Sequence, residues 1–232
     1  MNDSWSKWLV DLIPGLGLSL GLTAALLAFG LPLGLVFAIG LSQKSRILRV
    51  MSIALVEFAR GVPALILLYL VYFGFPEFNF IIDSFPAAAL ALGFSFAGYV
   101  SEVFRSGLEA VGKGQREAAT ALGLSPWTSF SKVILPQAVK IVIPPLLGWA
   151  ISFFQATSLA FAIAVPELMS RAYVLATTNF AYLIILSLAA VLYAVVSIPL
   201  AQFAERLSQG KTLKRGPVTL PLAPIKEGST HA

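Results

Sequence analysis

Apolar residues follow one another along most of this chain in five long runs, separated by short segments that carry nearly all of the charge. A helix needs about 20 apolar residues to cross the hydrocarbon core of a bilayer, and each run approaches that length. A transmembrane β-barrel would instead show segments of about ten residues that alternate apolar and polar positions. The pattern predicts an all-α, polytopic membrane protein with five transmembrane helices, at residues 13–41, 62–82, 85–104, 139–157 and 180–203.

A further apolar stretch, residues 158–173, does not fit this series. Pro166, Glu167 and Arg171 interrupt it and leave it too short for another span. We expect it to form a re-entrant or interfacial segment that packs against protein.

Two pairs of glycines in the first span share a spacing of four residues. Gly17 and Gly21 form one pair, and Gly30 and Gly34 form the other. This spacing places small residues on one helix face, which predicts close packing with another helix, within the chain or across a dimer.

Basic residues are distributed unequally between the two ends of the predicted spans. Fourteen of the 16 lysines and arginines follow spans one, three and five, and only Lys7 and Arg171 lie on the other side. The positive-inside rule then predicts that the N-terminus is outside and the C-terminus cytoplasmic. An odd number of spans requires the same opposite placement of the ends. The net charge of +5 therefore reflects topology and gives no support to nucleic-acid binding.

The composition narrows the possible chemistry. Charged residues make up 12% of the chain and the mean hydropathy is +0.86, whereas soluble domains contain about 25% charged residues. The chain has no cysteine and a single histidine, His231. Disulfides are thereby excluded, and we expect no metal site built from imidazole or thiolate ligands.

One glycine-rich segment resembles a phosphate-binding P-loop. It runs from Gly107 to Lys113, but Gly114 stands where a P-loop has the Ser or Thr that reaches magnesium. A predicted membrane helix also precedes it, where a P-loop follows a strand. Since no nucleophile–base pair is present either, we expect no enzymatic activity and no cofactor in this chain.

The longest polar interval, residues 115–138, has the pattern of two short amphipathic helices. The first is predicted from Gln115 to Leu122, and Gly123 suits the left-handed position that ends a helix. Ser125 can cap a second helix whose first position is Pro126. The second helix carries an apolar face at helical spacing, formed by Trp127, Phe130, Val133 and Ile134. An amphipathic helix resting on the membrane would explain that face, whereas the small alanines of the first helix favour close docking of a partner protein.

These residues resemble the EAA loop of ABC importer permeases. Glu117, Ala118 and Ala119 are followed after three residues by Gly123, and nine residues later by the sequence Val-x-Leu-Pro that ends with Leu135 and Pro136. The resemblance implies that these six residues, within a coupling loop at about residues 108–136, transmit motion from cytoplasmic ATPase subunits.

Other segments are similar to the polar amino acid branch of that family. They are Glu57-Phe-Ala-Arg60-Gly-Val-Pro63, Gly98-Tyr-Val-Ser-Glu102-Val-Phe-Arg-Ser-Gly107, Thr157-Ser-Leu159 and Val165-Pro-Glu-Leu168. The resemblance covers roughly residues 10–207. It implies a translocation path shared with a second permease subunit, identical or related, two cytoplasmic ABC ATPases that hold ATP and magnesium, and an extracytoplasmic solute-binding protein.

Six polar residues are candidates for lining the path: Ser95, Tyr99, Glu102, Gln155, Thr157 and Ser158. The family commonly has Asn-Ser-Gly where this chain has Ser95-Phe-Ala97, and Lys followed by Asn or Asp where it has Gln155-Ala156. Both replacements remove polar or charged groups, which disfavours a strongly charged amino acid as the solute.

Three of these candidates, Glu102, Thr157 and Ser158, also have a structural interpretation. Glu102 can pair with Arg105, and Glu57 with Arg60, as interfacial ion pairs that set helix depth. Alternatively, Glu102 and Tyr99 meet a substrate ammonium or gate the path. For Thr157 and Ser158, lining the path and capping a helix remain equal alternatives.

These observations predict the transmembrane subunit of an ABC importer for an amino acid or an amino-acid-like small solute. Residues 1–207 form the permease domain in the bacterial cytoplasmic (inner) membrane, and residues 208–232 form a disordered cytoplasmic tail. A secondary transporter or channel working without ATPase partners is the alternative, but it predicts acidic or histidine relays within the spans. A membrane scaffold would not need a capped cytoplasmic helix.

Overall fold

The computed structural model describes residues 3–212, which form helices connected by short turns, with no β-strand within that range. The nine α-helices of these residues are α1 (Asp3–Leu41), α2 (Arg46–Gly61), α3 (Ala64–Tyr69), α4 (Ser84–Glu109), α5 (Lys113–Ala121), α6 (Pro126–Ser129), α7 (Leu135–Ala156), α8 (Leu168–Asn179) and α9 (Tyr182–Thr212). Helix α9 continues into the segment predicted as a tail. Residues 213–232, with His231, lie outside the described residues.

Four continuous helices are long and apolar enough to cross a membrane. They span Trp5–Leu41, Ser84–Glu109, Pro126–Ile163 and Tyr182–Ser208. The first three each contain a predicted run, and the fourth begins two residues after the start of the run predicted at 180–203. A fifth crossing is formed if the pair Arg46–Gly61 and Ala64–Phe78, which is bent by 102°, is counted as one broken span. Pro63 lies at the bend, where proline's missing N–H and its restriction of the preceding residue end α2. The all-α polytopic class is confirmed.

Helix α4 is the most buried of the four long helices and forms the centre of the bundle. Its N-terminal half, from Ala87 to Val100, packs with α1, α3 and the end of α7 in the main core, which includes Leu26, Leu68, Phe96 and Phe153. Ala and Gly occupy many of its buried positions. Small residues of this kind allow helix backbones to approach closely, which is how membrane helices gain packing energy.

The second glycine pair of α1 meets α4 directly. A β-carbon at Gly30 would lie 2.7 Å from the Gly93 carbonyl oxygen, and one at Gly34 would lie 3.0 Å from the Ala97 carbonyl oxygen. Close packing within the chain, as predicted, therefore accounts for this pair. The first pair differs, because no atom lies within 4 Å of a β-carbon at Gly17 or Gly21.

The segment between α7 and α9 folds back in two short elements. A 3-10 helix, Thr157–Ile163, ends at Ala164, whose φ of 61° is left-handed, and α8 follows. Helix α8 has 12 residues, too few to cross a bilayer. It packs with α1 and α9 around Leu12, Leu168 and Ile185. The interrupted stretch therefore forms no additional span, as predicted, and packs against protein.

Candidate coupling loop and translocation site

The predicted coupling loop begins with α5, which ends in a Schellman motif. Gly123 has φ +70°, its N–H donates to the Thr120 carbonyl at 2.9 Å, and the Leu124 N–H donates to the Ala119 carbonyl at 3.1 Å. These two bonds satisfy carbonyls that the end of a helix leaves free. The predicted left-handed conformation of Gly123 is confirmed.

The second helix of the loop has the predicted cap and then continues without a break. The Ser125 hydroxyl accepts a hydrogen bond from the Thr128 N–H at 3.2 Å, and Pro126 occupies the first turn. A π-helical turn, Phe130–Ile134, joins α6 to α7. Leu135 and Pro136 are exposed at the start of α7. The second helix of the loop is therefore one end of the long apolar helix Pro126–Ile163.

The alanines of the loop face in different directions. Glu117 and Ala118 are exposed, whereas Ala119 is buried against the chain itself. The expectation that the alanines together admit a partner is thus wrong for Ala119, whose small side chain serves internal packing. The exposed surface of the loop also carries two large apolar side chains, since Leu122 is 78% exposed and Trp127 is 74% exposed. The sequence predicted Leu122 as the end of the first helix but did not identify it as an exposed apolar contact, although an apolar residue beside a helix-ending glycine is a usable signal.

Side chains and a small core hold the loop to the membrane helices. The Arg116 guanidinium donates to the Leu108 carbonyl at 3.0 Å, and the Gln137 amide donates to Gln115 at 3.3 Å. A separate apolar cluster centres on Val111, Ile134 and Ala138. These contacts join α5 to both flanking helices, so the loop is packed as a unit.

Tyr99 lies where three helices meet. Its ring stacks on Trp149 of α7 with centroids 4.2 Å apart and planes at 29°. Its hydroxyl donates to the Arg60 carbonyl at the end of α2 at 3.2 Å, and the Arg60 guanidinium carbon lies 5.7 Å from its ring centroid. Tyr99 therefore joins α2, α4 and α7. Neither Trp149 nor its contact with Tyr99 was identified from the sequence.

The two predicted glutamate–arginine pairs, Glu102–Arg105 and Glu57–Arg60, differ in the distance between their charged groups. Arg105 donates two bonds to Glu102, at 2.8 and 3.0 Å, and also contacts Glu109 at 2.8 Å. The Arg60–Glu57 pair is 3.9 Å long, beyond hydrogen-bond distance. The carboxylate of Glu102 is therefore held by arginine, as the structural interpretation expects, whereas Arg60 is only loosely paired.

The remaining path candidates occupy different environments. Ser95 is buried inside the bundle, and Gln155 is exposed and donates to Ser197 of α9 at 3.3 Å. Thr157 is buried and donates to the Phe154 carbonyl at 2.7 Å, and Ser158 donates to the Gln155 carbonyl at 2.8 Å. The last two bonds satisfy carbonyls at the end of α7, which is the capping role.

Glu167 is a buried acidic residue that the sequence presented as an interruption of an apolar stretch and as part of a family-like segment, without a structural role. Its carboxylate caps α8 by accepting from the N–H groups of Met169 and Ser170, at 2.9 and 2.8 Å. It also accepts from the hydroxyls of Ser19 on α1, at 3.2 Å, and Tyr193 on α9, at 2.8 Å. All four partners donate, which matches an acceptor-only carboxylate. We call this group the Glu167 cluster; an isolated acid in an apolar run was its available signal.

Comparison with known proteins agrees with this architecture. The sequence model of the family described as "Binding-protein-dependent transport system inner membrane component" matches residues 30–212. The "Probable amino-acid ABC transporter permease protein YckA" of Bacillus subtilis (strain 168) is 36% identical over 78% of this chain and 80% of that protein. The "Probable amino-acid ABC transporter permease protein y4tG" of Sinorhizobium fredii (strain NBRC 101917 / NGR234) is 35% identical over 89% and 91%. The "L-cystine transport system permease protein TcyB" of Bacillus subtilis (strain 168) is 34% identical over 78% of each.

Solved structures give the same result for the fold. A chain from "Crystal structure of an amino acid ABC transporter with histidines" superposes with a TM-score of 0.83 at 28% identity, over 89% of this chain and 97% of that one. A chain of the "MetNI methionine ABC transporter" superposes with a TM-score of 0.66 at 20% identity, over 90% and 99%. The prediction of a transport component without ATPase activity of its own is confirmed by these relationships. The chain belongs to the family of binding-protein-dependent transport system inner membrane components.

Proposed function

We propose that this chain is the transmembrane subunit of an ATP-driven ABC importer for an amino acid or an amino-acid-like small solute. The names of the relatives support the solute class, since they refer to amino acids and L-cystine. In this proposal the chain encloses a path with a second permease subunit, identical or related. A solute-binding protein delivers the solute, and two cytoplasmic ATPases hold ATP and magnesium.

The proposal includes an orientation in the cytoplasmic (inner) membrane. The N-terminus is outside, and the coupling loop between α4 and α7 is cytoplasmic. The unequal distribution of lysines and arginines supports this orientation, because thirteen of 16 fall on the loop side of the sequence even when Arg60, which packs beside the middle of α4, is left aside.

The coupling loop, residues 108–136, is the part of the chain that receives ATPase motion in this proposal. The observation that carries this assignment is its connection to α7: a capped α5 is packed onto a helix that runs continuously from Pro126 to Ile163. A rigid element transmits displacement only if its supporting contacts hold it, and the Schellman motif at Gly123 and the Ser125 cap supply them. Exposed Leu122 and Trp127 give a partner an apolar surface to bind.

Replacing Gly123 with valine tests this assignment. Valine strongly disfavours φ of +70°, so the turn between α5 and α6 must distort. We expect uptake by the assembled transporter to fall at least tenfold, while the amount of protein inserted in the membrane stays near the parental level. Gly114→Val is the matched control, because a β-carbon there meets no atom within 4 Å and φ is not positive.

The assay is uptake of labelled amino acids into vesicles that contain the permease, its ATPases and its binding protein. Unchanged uptake by the Gly123→Val variant would contradict the coupling role. Uptake by the permease in vesicles that lack the ATPase subunits would instead support the alternative, a secondary transporter or channel.

A further inference from the structure

Arg60 lies deeper than its sequence position suggests. It packs against Gly98, which is about 21 Å along a helix α4 of about 39 Å, at 1.5 Å per residue. Because α4 is a membrane span, this contact places Arg60 near the middle of the bilayer rather than at its surface. An ionisable residue at that depth is a candidate functional site.

The neighbours of Arg60 are shaped to accommodate its side chain. A β-carbon at position 98 would lie 2.9 Å from Arg60 Cγ and 2.9 Å from Ala59 Cβ, so glycine leaves room for the arginine. The guanidinium then lies over the ring of Tyr99, which is itself stacked on Trp149. The face of the Tyr99 ring attracts the guanidinium and orients it. The ring does not accept the hydrogen bonds that the guanidinium N–H groups donate in their own plane.

The donors of Arg60 are not fully used. Its Nε is buried and has no hydrogen-bond partner among the described residues. The carboxylate of Glu57, 66% exposed, approaches Nη1 only to 3.9 Å. Arg105 on the neighbouring helix has two carboxylates within 2.8 Å, so this chain does pair its arginines closely where the role is structural. The Arg60 side chain is 35% exposed, so its guanidinium can be reached, and a reachable guanidinium with unmet donors favours an anion of planar geometry.

We propose that the Arg60 guanidinium binds the carboxylate of the solute as it passes the middle of the membrane. The inference rests on the proposed function, because it needs a solute path beside α2, α4 and α7. A carboxylate accepts two parallel N–H bonds from arginine, and every amino acid carries one on its α-carbon. Tyr99 and Trp149 form the aromatic wall of this site, and Gly98 leaves the space for it.

Binding to the permease–ATPase complex without the binding protein tests this site, because the binding protein would otherwise select the solute. The probes are the standard L-amino acids, each compared with its α-carboxamide, which keeps the side chain and loses the charge. The readout is the ligand-induced shift in melting temperature, followed by titration of each ligand that gives one. We expect at least one amino acid to stabilise the parental complex and its carboxamide to bind at least tenfold more weakly.

Arg60→Gln should lower the affinity for that amino acid at least tenfold and should remove the preference over the carboxamide. Arg60→Lys keeps the charge without the planar fork and should give an intermediate affinity, which keeps the test decisive if the glutamine variant does not assemble. Arg49→Gln, an exposed arginine on the same helix α2, is the matched control and should bind like the parent.

Two results would overturn the assignment in different ways. In the first, an amino acid is transported, but Arg60→Gln or Arg60→Lys binds it with the parental affinity and the parental preference over the carboxamide. Arg60 then does not bind the carboxylate, while the importer function stands. If no amino acid stabilises or is transported by the parental complex, the proposed solute class fails and this inference fails with it.

Discussion

Replacing Glu167 with alanine removes the single acceptor that links three helices. The carboxylate is fully buried and receives four hydrogen bonds, two from the start of α8 and one each from Ser19 and Tyr193. The two backbone bonds form the N-cap of α8, and the two hydroxyl bonds hold α1 and α9 against it.

The cost can be worked from the types of bond. Loss of an N-cap side chain costs about 0.5–2 kcal/mol. Hydrogen bonds between side chains in membrane proteins average about 0.6 and reach about 1.7 kcal/mol, because the unfolded chain in a membrane also finds partners. One cap and two such bonds give a destabilisation of roughly 2–5 kcal/mol for Glu167→Ala. Tyr193→Phe removes only one of these bonds, so about 0.6–1.7 kcal/mol is expected for it.

The assay is reversible unfolding of the purified protein in mixed micelles, with the free energy of unfolding compared between variants. Glu109→Ala is the matched control, since that carboxylate is 63% exposed in a surface ion pair and such pairs contribute about 0–1 kcal/mol. The double variant is the sharper measurement. Once Glu167 is gone, the Tyr193 hydroxyl has lost the acceptor of its 2.8 Å bond, so adding Tyr193→Phe should cost clearly less than it does in the parent. Additive effects, or a loss of less than about 0.5 kcal/mol for Glu167→Ala, would refute the reasoning.

Two further substitutions test the packing and the loop. Gly30→Val places a β-carbon 2.7 Å from the Gly93 carbonyl oxygen, so the melting temperature should fall by an amount equivalent to about 1–3 kcal/mol. Gly17→Val is the control, because a β-carbon there meets no atom within 4 Å, and this variant should melt close to the parental temperature. Equal effects of the two substitutions would contradict the packing argument. Ser125→Ala removes the cap that accepts from Thr128, at a cost of about 1 kcal/mol. Hydrogen exchange at the Thr128 amide should accelerate several-fold, and an unchanged rate would show that the cap does not hold the turn.

The spans and the loop were predictable because their signals are local. An apolar run of membrane-crossing length is sufficient to predict a helix, and each of the four continuous spans contains one. The turn at Gly123 and the cap at Ser125 depend on residues adjacent in sequence, so the geometry follows from residue type. The four continuous helices are longer than the apolar runs, because polar residues extend them at their ends. The run predicted at 62–82 instead contains the six-residue α3 followed by π and 3-10 turns.

The depth of Arg60 and the contacts of Glu167 depend on packing between segments distant in sequence. Arg60 precedes the apolar run that begins at residue 62, so its position in the sequence indicates the membrane surface. The 102° bend and the contact with Gly98 instead bring it to the centre of α4. Glu167 reads as a break in an apolar stretch until Ser19 and Tyr193, 148 and 26 residues away, are placed beside it.

The continuous helix Pro126–Ile163 joins these features and determines how far a displacement of the coupling loop can travel. A straight α-helix moves as a unit, but the π turn at Phe130–Ile134 and the pair Pro144–Pro145 each interrupt its hydrogen bonds. Trp149, which stacks on Tyr99, lies about one turn beyond the prolines. Motion of the loop therefore reaches Tyr99 by two routes: directly along α4, which Arg116 ties to the loop through the Leu108 carbonyl, and along α7 across the proline pair to Trp149. The packing of the proline pair decides how much the second route contributes.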